Sequence, residues 1–304
     1  MKSEQQSIVL VNCFFGALPP WMNAFLLSCS YNKSIFWHIF SDRPKPNGCP
    51  SNVLWDQISV SEFNERASSK LGFSAEIRPE FAYKLCDFKP FYGLIFDDFL
   101  KEYDFWGNCD LDIIWGDLRR FLTARSLRNA EIITARRRKM AGHLTVYRTA
   151  ARIHEQFLAL PNIRELLQDG DYQRFDEVRL TRHFREREGN RAKRLLLHCL
   201  PQTLRPKPRI EWEAEWTTGA RVQMDLPTTP RRCFSWQSGR TFDGYGKELA
   251  YIHFHYLKTK MKRFDVDGLQ NCQKIVVDEN GIVAERWSGQ PRHQKAMHRS
   301  AIDA

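Results

Sequence analysis

Over the first 120 positions, short unbroken apolar runs alternate with stretches of helical spacing, the pattern a parallel α/β sheet produces. Ser7-Ile8-Val9-Leu10-Val11-Asn12 predicts a buried strand, a turn follows over 15–20, and residues 21–29 predict a helix. Ile35-Phe36-Trp37-His38-Ile39-Phe40 predicts a second strand, closed by Ser41-Asp42 and a Pro/Gly loop reaching Pro50. Val53-Leu54-Trp55 predicts a short third strand. Residues 90–101 predict a helix with Pro90 at its start, where a missing N–H costs nothing. Residues 103–109 predict the next strand, which runs straight into Asp110-Leu111-Asp112.

Beyond residue 120 the pattern is mixed. Strands are expected over 131–134, 144–147, 231–239 and 250–254, and helices over 152–160 and 174–184. No repeat suggests a solenoid. No apolar run approaches the ~20 residues that cross a bilayer. The N-terminal apolar stretch is interrupted by Asn12 and Gly16 and meets Pro19-Pro20, so it does not read as a secretion signal. A cytoplasmic location is expected.

Composition changes this picture in two places. The eight cysteines form no C-x-x-C pair and several lie inside apolar segments, so free buried thiols are expected rather than disulfides or a zinc knuckle. The net charge of +10 is uneven: residues 1–120 hold 12 Lys/Arg against 15 Asp/Glu, whereas the rest hold 34 against 21. Such an excess suits a polyanionic partner, whether nucleic acid, anionic lipid or a phosphate-bearing substrate. It is densest over 182–209, with nine Lys/Arg and two Glu. That segment reads as a solvated helix and loop, and the tail over 291–304 is polar and basic.

The chemistry centres on Asp110 and Asp112. The D-x-D spacing recurs at Asp169/Asp171 and Asp265/Asp267, both read as surface turns, but only Asp110 and Asp112 leave a strongly apolar aromatic strand. Ligands of open α/β sheets bind at the carboxyl ends of strands. Alternate positions on an extended segment face the same way, so both carboxylates could reach one Mg²⁺ or Mn²⁺. Capping of the following turn would equally use aspartates.

The stretch Lys84-Leu85-Cys86-Asp87-Phe88-Lys89-Pro90, continuing through Phe105-Trp106-Gly107-Asn108-Cys109-Asp110-Leu111-Asp112-Ile113-Ile114-Trp115-Gly116-Asp117-Leu118, resembles a bacterial GT-A-type glycosyltransferase family of polysaccharide gene clusters. Phe15-Gly16-Ala17-Leu18-Pro19 and Phe40-Ser41-Asp42 are similar to it too. The resemblance implies a GT-A (Rossmann-like) fold with a mixed central sheet and flanking helices. Residues 1–120 would form the nucleotide-sugar half and 121–290 the acceptor half of one domain.

It also implies roles. Asp110, Asp112 and His253 would hold Mn²⁺ or Mg²⁺, with His255 an open alternative to His253. Phe15 and Gly16 would approach the nucleotide, and Asp42 the base or ribose. Lys84, Asp87 and Lys89 would face the same cleft, and Lys258 or Lys260 would bind the leaving diphosphate. The segment 141–148 would line the sugars. Asp176 or Glu177 would serve the acceptor hydroxyl, though both equally suit a helix N-terminus.

The expected function is transfer of a sugar from a nucleotide-sugar donor, UDP-linked, to a surface polysaccharide or lipopolysaccharide acceptor. A peripheral contact of residues 182–209 with anionic membrane is expected where lipid-linked acceptors sit. The rival is a basic non-enzymatic protein binding nucleic acid or membrane. That segment has Phe184 as its single aromatic, which provides poorly for base stacking, so nucleic acid is disfavoured. A metal-dependent phosphohydrolase would need more ligands close together than the sequence offers.

Overall fold

A computed structural model describes residues 5–78, 83–186, 209–212, 216–217, 233–269 and 272–285. The tail over 291–304 and most of the basic segment 182–209 lie outside these residues, as does Cys199. The other seven cysteines are free. Among the described residues, no helix is long and apolar enough to cross a membrane.

The core is a mixed seven-stranded sheet. Its strands are β1 (Ile8–Phe14), β2 (Ile35–Ser41), β3 (Val53–Gln57), β4 (Phe105–Cys109), β6 (Ile132–Thr134), β7 (Leu144–Arg148) and β8 (Ile210–Trp212); β5 (Ile113–Trp115) lies outside it. The order is β3-β2-β1-β4-β7-β6-β8. β1 is parallel to β2 and β4, while β7 runs antiparallel to β4. The expected mixed central sheet with flanking helices is thus present, and strands from both sides of residue 120 share it.

Side chains of β1 alternate between two cores, as strand geometry requires. Ile8 and Leu10 pack with Phe25, Trp37 and Trp115 on one face, and Val9 and Val11 pack with Phe63, Phe88 and Trp106 on the other. Burial on both faces is why β1 reads as one continuous apolar run.

The first face is covered by α1 (Met22–Ser30). The second is covered partly by α2 (Val60–Leu71), which the apolar pattern did not reveal. Its start carries a full capping box: Glu62 N–H donates to Ser59 Oγ, and Ser59 N–H donates to the Glu62 carboxylate.

The helix expected over 90–101 is broken into a 3₁₀ turn (Lys89–Phe91) and two short helical turns, Tyr92–Ile95 and Asp97–Leu100. Packing explains the break. Phe96 stacks on Phe40 at 3.9 Å between centroids, and Gly93 leaves space that Trp106 fills, since a Cβ there would lie 2.3 Å from its ring.

A second, six-stranded sheet collects β9 (Phe234–Gln237), β10 (Arg240–Phe242), β11 (Glu248–Leu249), β13 (Arg263–Asp265), β14 (Lys274–Val277) and β15 (Gly281–Glu285). Between them in sequence, β12 (Tyr251–His253) leaves that sheet and pairs antiparallel with β5. The register sets His253 opposite Ile113, so a segment from the end of the chain lies beside the Asp110-Leu111-Asp112 turn.

Candidate active site

A cleft of about 330 Å³ opens where β1 and β4 end, lined among others by Phe15, Lys89, Asp110, Asp112, His143, Asp176, Glu177, His253, His255 and Lys258. It follows the rule that open α/β sheets bind ligands at the carboxyl ends of their strands.

The first cluster forms on Asp112, which is 5% exposed. His253 Nε2 lies 3.3 Å from its Oδ1, while His255 Nδ1 at 3.3 Å and Lys258 Nζ at 2.7 Å share its Oδ2. Burial alone would raise this carboxyl; His253, His255 and Lys258 outweigh it and hold the pKa well below the ordinary value. Ligand atoms of Asp112, His253 and His255 lie within 4.8 Å of one another. One carboxylate oxygen and two imidazole nitrogens form a donor set that could hold a divalent metal ion. Asp110 Oδ2 is 3.8 Å from His253 Nε2, so both aspartates of the D-x-D pair lie close to His253.

The second cluster forms on Lys89, whose Nζ donates to Asp110 Oδ1 at 2.5 Å and to the Gly142 carbonyl at 3.0 Å. Asp176 Oδ2 stands 4.0 Å from the same nitrogen. Burial opposes the charge, but Asp110, with Cys86 and Asp176, holds the ammonium well above the ordinary lysine pKa. The Gly142 carbonyl also accepts from Asn108 Nδ2, which fixes it in place.

Asp176 and Glu177 sit on a single π-helical turn, Phe175–Arg179, entered through Arg174 at φ 57°. Non-glycine residues seldom take that conformation, and π turns recur at functional sites. Gly142 makes room for Asp176, since a Cβ there would lie 2.2 Å from its Oδ2. Tyr172 Oη donates to Asp176 Oδ1 at 2.8 Å. Burial, reinforced by Glu177, pushes the Asp176 carboxyl up to about 7 against the opposing pull of Lys89 and Tyr172. Glu177 goes the other way despite burial, because Lys139 pairs with it at 2.8 Å. Two adjacent carboxyls are thereby pushed in opposite directions.

Some expected site residues lie elsewhere. Lys84 is 1% exposed and donates to Asp87 Oδ2, to the Leu166 carbonyl and to the Asp171 carbonyl, so all three ammonium hydrogens are committed to the protein. Asp87 accepts from Lys84 and from the backbone N–H groups of Gln173 and Phe175. Neither faces the cleft; the pair anchors the segment leading to Asp176. Lys260 is exposed and outside the cleft lining, unlike Lys258. Phe15 lines the cleft, whereas Gly16 donates its N–H to Asp42 Oδ1 at 2.9 Å and the two brace the first turn behind it. Asp169 and Asp171 are exposed as expected, while Asp265 ends β13 rather than forming a turn.

Sequence reasoning missed Tyr172 and Tyr83, whose positions carry no spacing signal. It reached His143 only through the segment 141–148.

Fold and cleft define a mixed α/β protein with a carboxylate–histidine–lysine site at the carboxyl edge of its central sheet. The chain belongs to the family of unknown function designated DUF6625, which it matches over residues 10–286. No curated protein matches it in sequence. Among solved structures it is similar to mouse xyloside xylosyltransferase 1, with a TM-score of 0.45 and 9% identity over 82% of this chain and 97% of that one. It is also similar to the galactosyltransferase LgtC, with a TM-score of 0.26 and 11% identity over 53% of this chain and 62% of that one. The glycosyltransferase GlyE of Streptococcus pneumoniae TIGR4 gives a TM-score of 0.30 and 11% identity over 69% of this chain and 55% of that one. The chain therefore spans less than two thirds of LgtC and of GlyE.

Proposed function

We propose that this chain is a metal-dependent glycosyltransferase that moves a hexosyl group from a UDP-linked donor to a surface polysaccharide or lipopolysaccharide acceptor. The observation that carries the reading is the convergence, in one cleft, of Asp110, Asp112, His253, His255 and Lys258 beside the separate buried carboxyl of Asp176. The first group suits a diphosphate, and the second suits a hydroxyl.

Asp112, His253 and His255, with Asp110 alongside, would hold Mn²⁺ or Mg²⁺, which when bound supplies positive charge against the diphosphate. Lys258 adds a second positive charge at the same place, stabilising the leaving group most as it becomes most negative. Lys89 neutralises Asp110 and faces Asp176, keeping the carboxylates from repelling an anionic donor. The acceptor hydroxyl oxygen bonds to the anomeric carbon as the bond from that carbon to the diphosphate oxygen breaks. The nucleoside diphosphate leaves with the electron pair, and the hydroxyl proton passes to the Asp176 carboxylate. Residues 1–120 supply Asp110 and Asp112 to the nucleotide side of the cleft, the end of the chain adds His253, His255 and Lys258 to that side, and Asp176 stands on the acceptor side. A contact of the basic segment 182–209 with anionic membrane belongs to the same proposal.

A thermal-shift series of nucleoside diphosphates with and without Mn²⁺ tests the reading. UDP with Mn²⁺ should raise Tm in the parent, and Asp112→Asn or Asp110→Asn, which keep an acceptor for Lys258 and Lys89, should remove that shift. Equal shifts in parent and both variants would refute the assignment.

A further inference from the structure

At the mouth of the cleft, Tyr83 is 58% exposed and its ring meets that of Tyr172 at 89°, with centroids 4.8 Å apart. An exposed tyrosine is ordinary in itself. This one is set apart by what stands behind it. Tyr172 ties one oxygen of Asp176, while Lys89 faces the other, so the tyrosine corner and the Lys89 cluster reach the same carboxyl through different oxygens. The corner is thus an aromatic wall opening onto a charged floor of Asp176, Glu177 and Lys139.

A pyranose ring matches that arrangement. Its axial C–H bonds give one face that packs on an aromatic ring, and its hydroxyls project at the rim, where carboxylates and ammonium groups meet them. The donor's diphosphate belongs with Asp112 and Lys258, whereas the tyrosine corner is tied to Asp176, the carboxyl assigned above to the acceptor hydroxyl, so the ring on the tyrosines is read as the second sugar. We infer that Tyr83 and Tyr172 form the stacking platform for the acceptor sugar and turn its hydroxyl toward Asp176. The inference rests on the glycosyltransferase reading for the word acceptor, but the presence of a sugar-binding platform does not.

Saturation-transfer NMR on the full chain, with UDP and Mn²⁺ present, tests it. The probes are the methyl β-glycosides of glucose, galactose and N-acetylglucosamine. At least one glycoside should receive saturation at its ring protons. Tyr83→Ala should reduce that signal about fivefold, the scale of one aromatic contact, whereas Tyr83→Phe should restore it. Because Tyr83 is exposed, both variants should keep the parent Tm. Undiminished signal in Tyr83→Ala would overturn the platform. So would silence from all three glycosides in a protein that binds UDP with Mn²⁺. Loss of UDP binding in Tyr83→Ala would also overturn it, by assigning the corner to the nucleobase. A Tyr83-dependent glycoside signal without any UDP binding would support the platform and count against the transferase reading.

Discussion

His143 stacks on His253, with ring centroids 4.2 Å apart and planes 21° from parallel. His143 is buried, and burial, with His253 and the nearby Arg136, Lys139 and Lys89, holds its pKa well below the ordinary histidine value. A ring stacked on a candidate metal ligand restricts that ligand's orientation. His143→Ala should weaken Mn²⁺-dependent UDP binding by about 2–10-fold, the scale of one ring-stacking contact. His143→Phe should retain most of it, because a flat ring remains. Calorimetry of UDP in the presence of Mn²⁺ decides, and equal losses in both variants would show that stacking is not what matters.

Lys258 and Lys260 separate by geometry. The Lys258 ammonium bonds Asp112 inside the cleft, whereas Lys260 stands in solvent. Lys258→Ala should slow kcat by about 10²-fold, as loss of one charge-stabilising donor does elsewhere, and Lys260→Ala should leave it near the parent value. Rates of nucleoside diphosphate release measure both.

Asp176 links activity to stability. Its carboxyl is pushed up to about 7, above the ordinary aspartate value near 4. Between these values the folded chain keeps a proton that the unfolded chain has released, so stability falls as pH rises across that window. Asp176→Asn should therefore be more stable than the parent at pH 8, by on the order of 2–4 kcal/mol, with the gain vanishing near pH 4. If the ionised carboxyl accepts the hydroxyl proton, kcat/KM should rise through an inflection near pH 7 and collapse in the same variant. Denaturant melts across pH, paired with rate profiles, check the two halves separately.

Lys84 should behave as a structural residue. Lys84→Met leaves Asp87 as a buried charge without its cation, at a cost of about 3–5 kcal/mol. Urea midpoints should fall accordingly, while the affinity of the folded fraction for UDP with Mn²⁺ stays unchanged. A specific loss of nucleotide affinity at unchanged stability would restore the donor-binding role.

Strands buried on both faces were readable from sequence because every residue in them is apolar or nearly so, as in β1 and β2. The end of β4 was readable for the same reason: two aspartates after such a run are conspicuous. The break at Phe96 was not, because it is set by stacking on Phe40, more than fifty residues earlier. The pairing of Lys84 with carbonyls at 166 and 171 was equally hidden, since lysine is ordinarily a surface residue. The choice between Lys258 and Lys260 depended on how the chain turns after β12, which apolar spacing does not encode. Ser59 and Glu62, by contrast, spell out a capping box; the helix they start was overlooked because its buried stripe is only Phe63, Ala67 and Leu71.

The pairing of β5 with β12 gives the site a history as well as a shape. Asp112 and His253 meet only when a loop of about 140 residues has closed, and closing it costs entropy that a shared cation would offset. Such a cation would clasp the Asp110–Asp112 turn to β12 near the end of the chain. Chelation should loosen residues 233–285 before it disturbs β1 or β4, and protease sites in that region should open first. During synthesis the first sheet can form while the clasp is still missing its histidines. The protein would thus gain its chemistry in a late step, when β12 emerges and locks against a strand made long before.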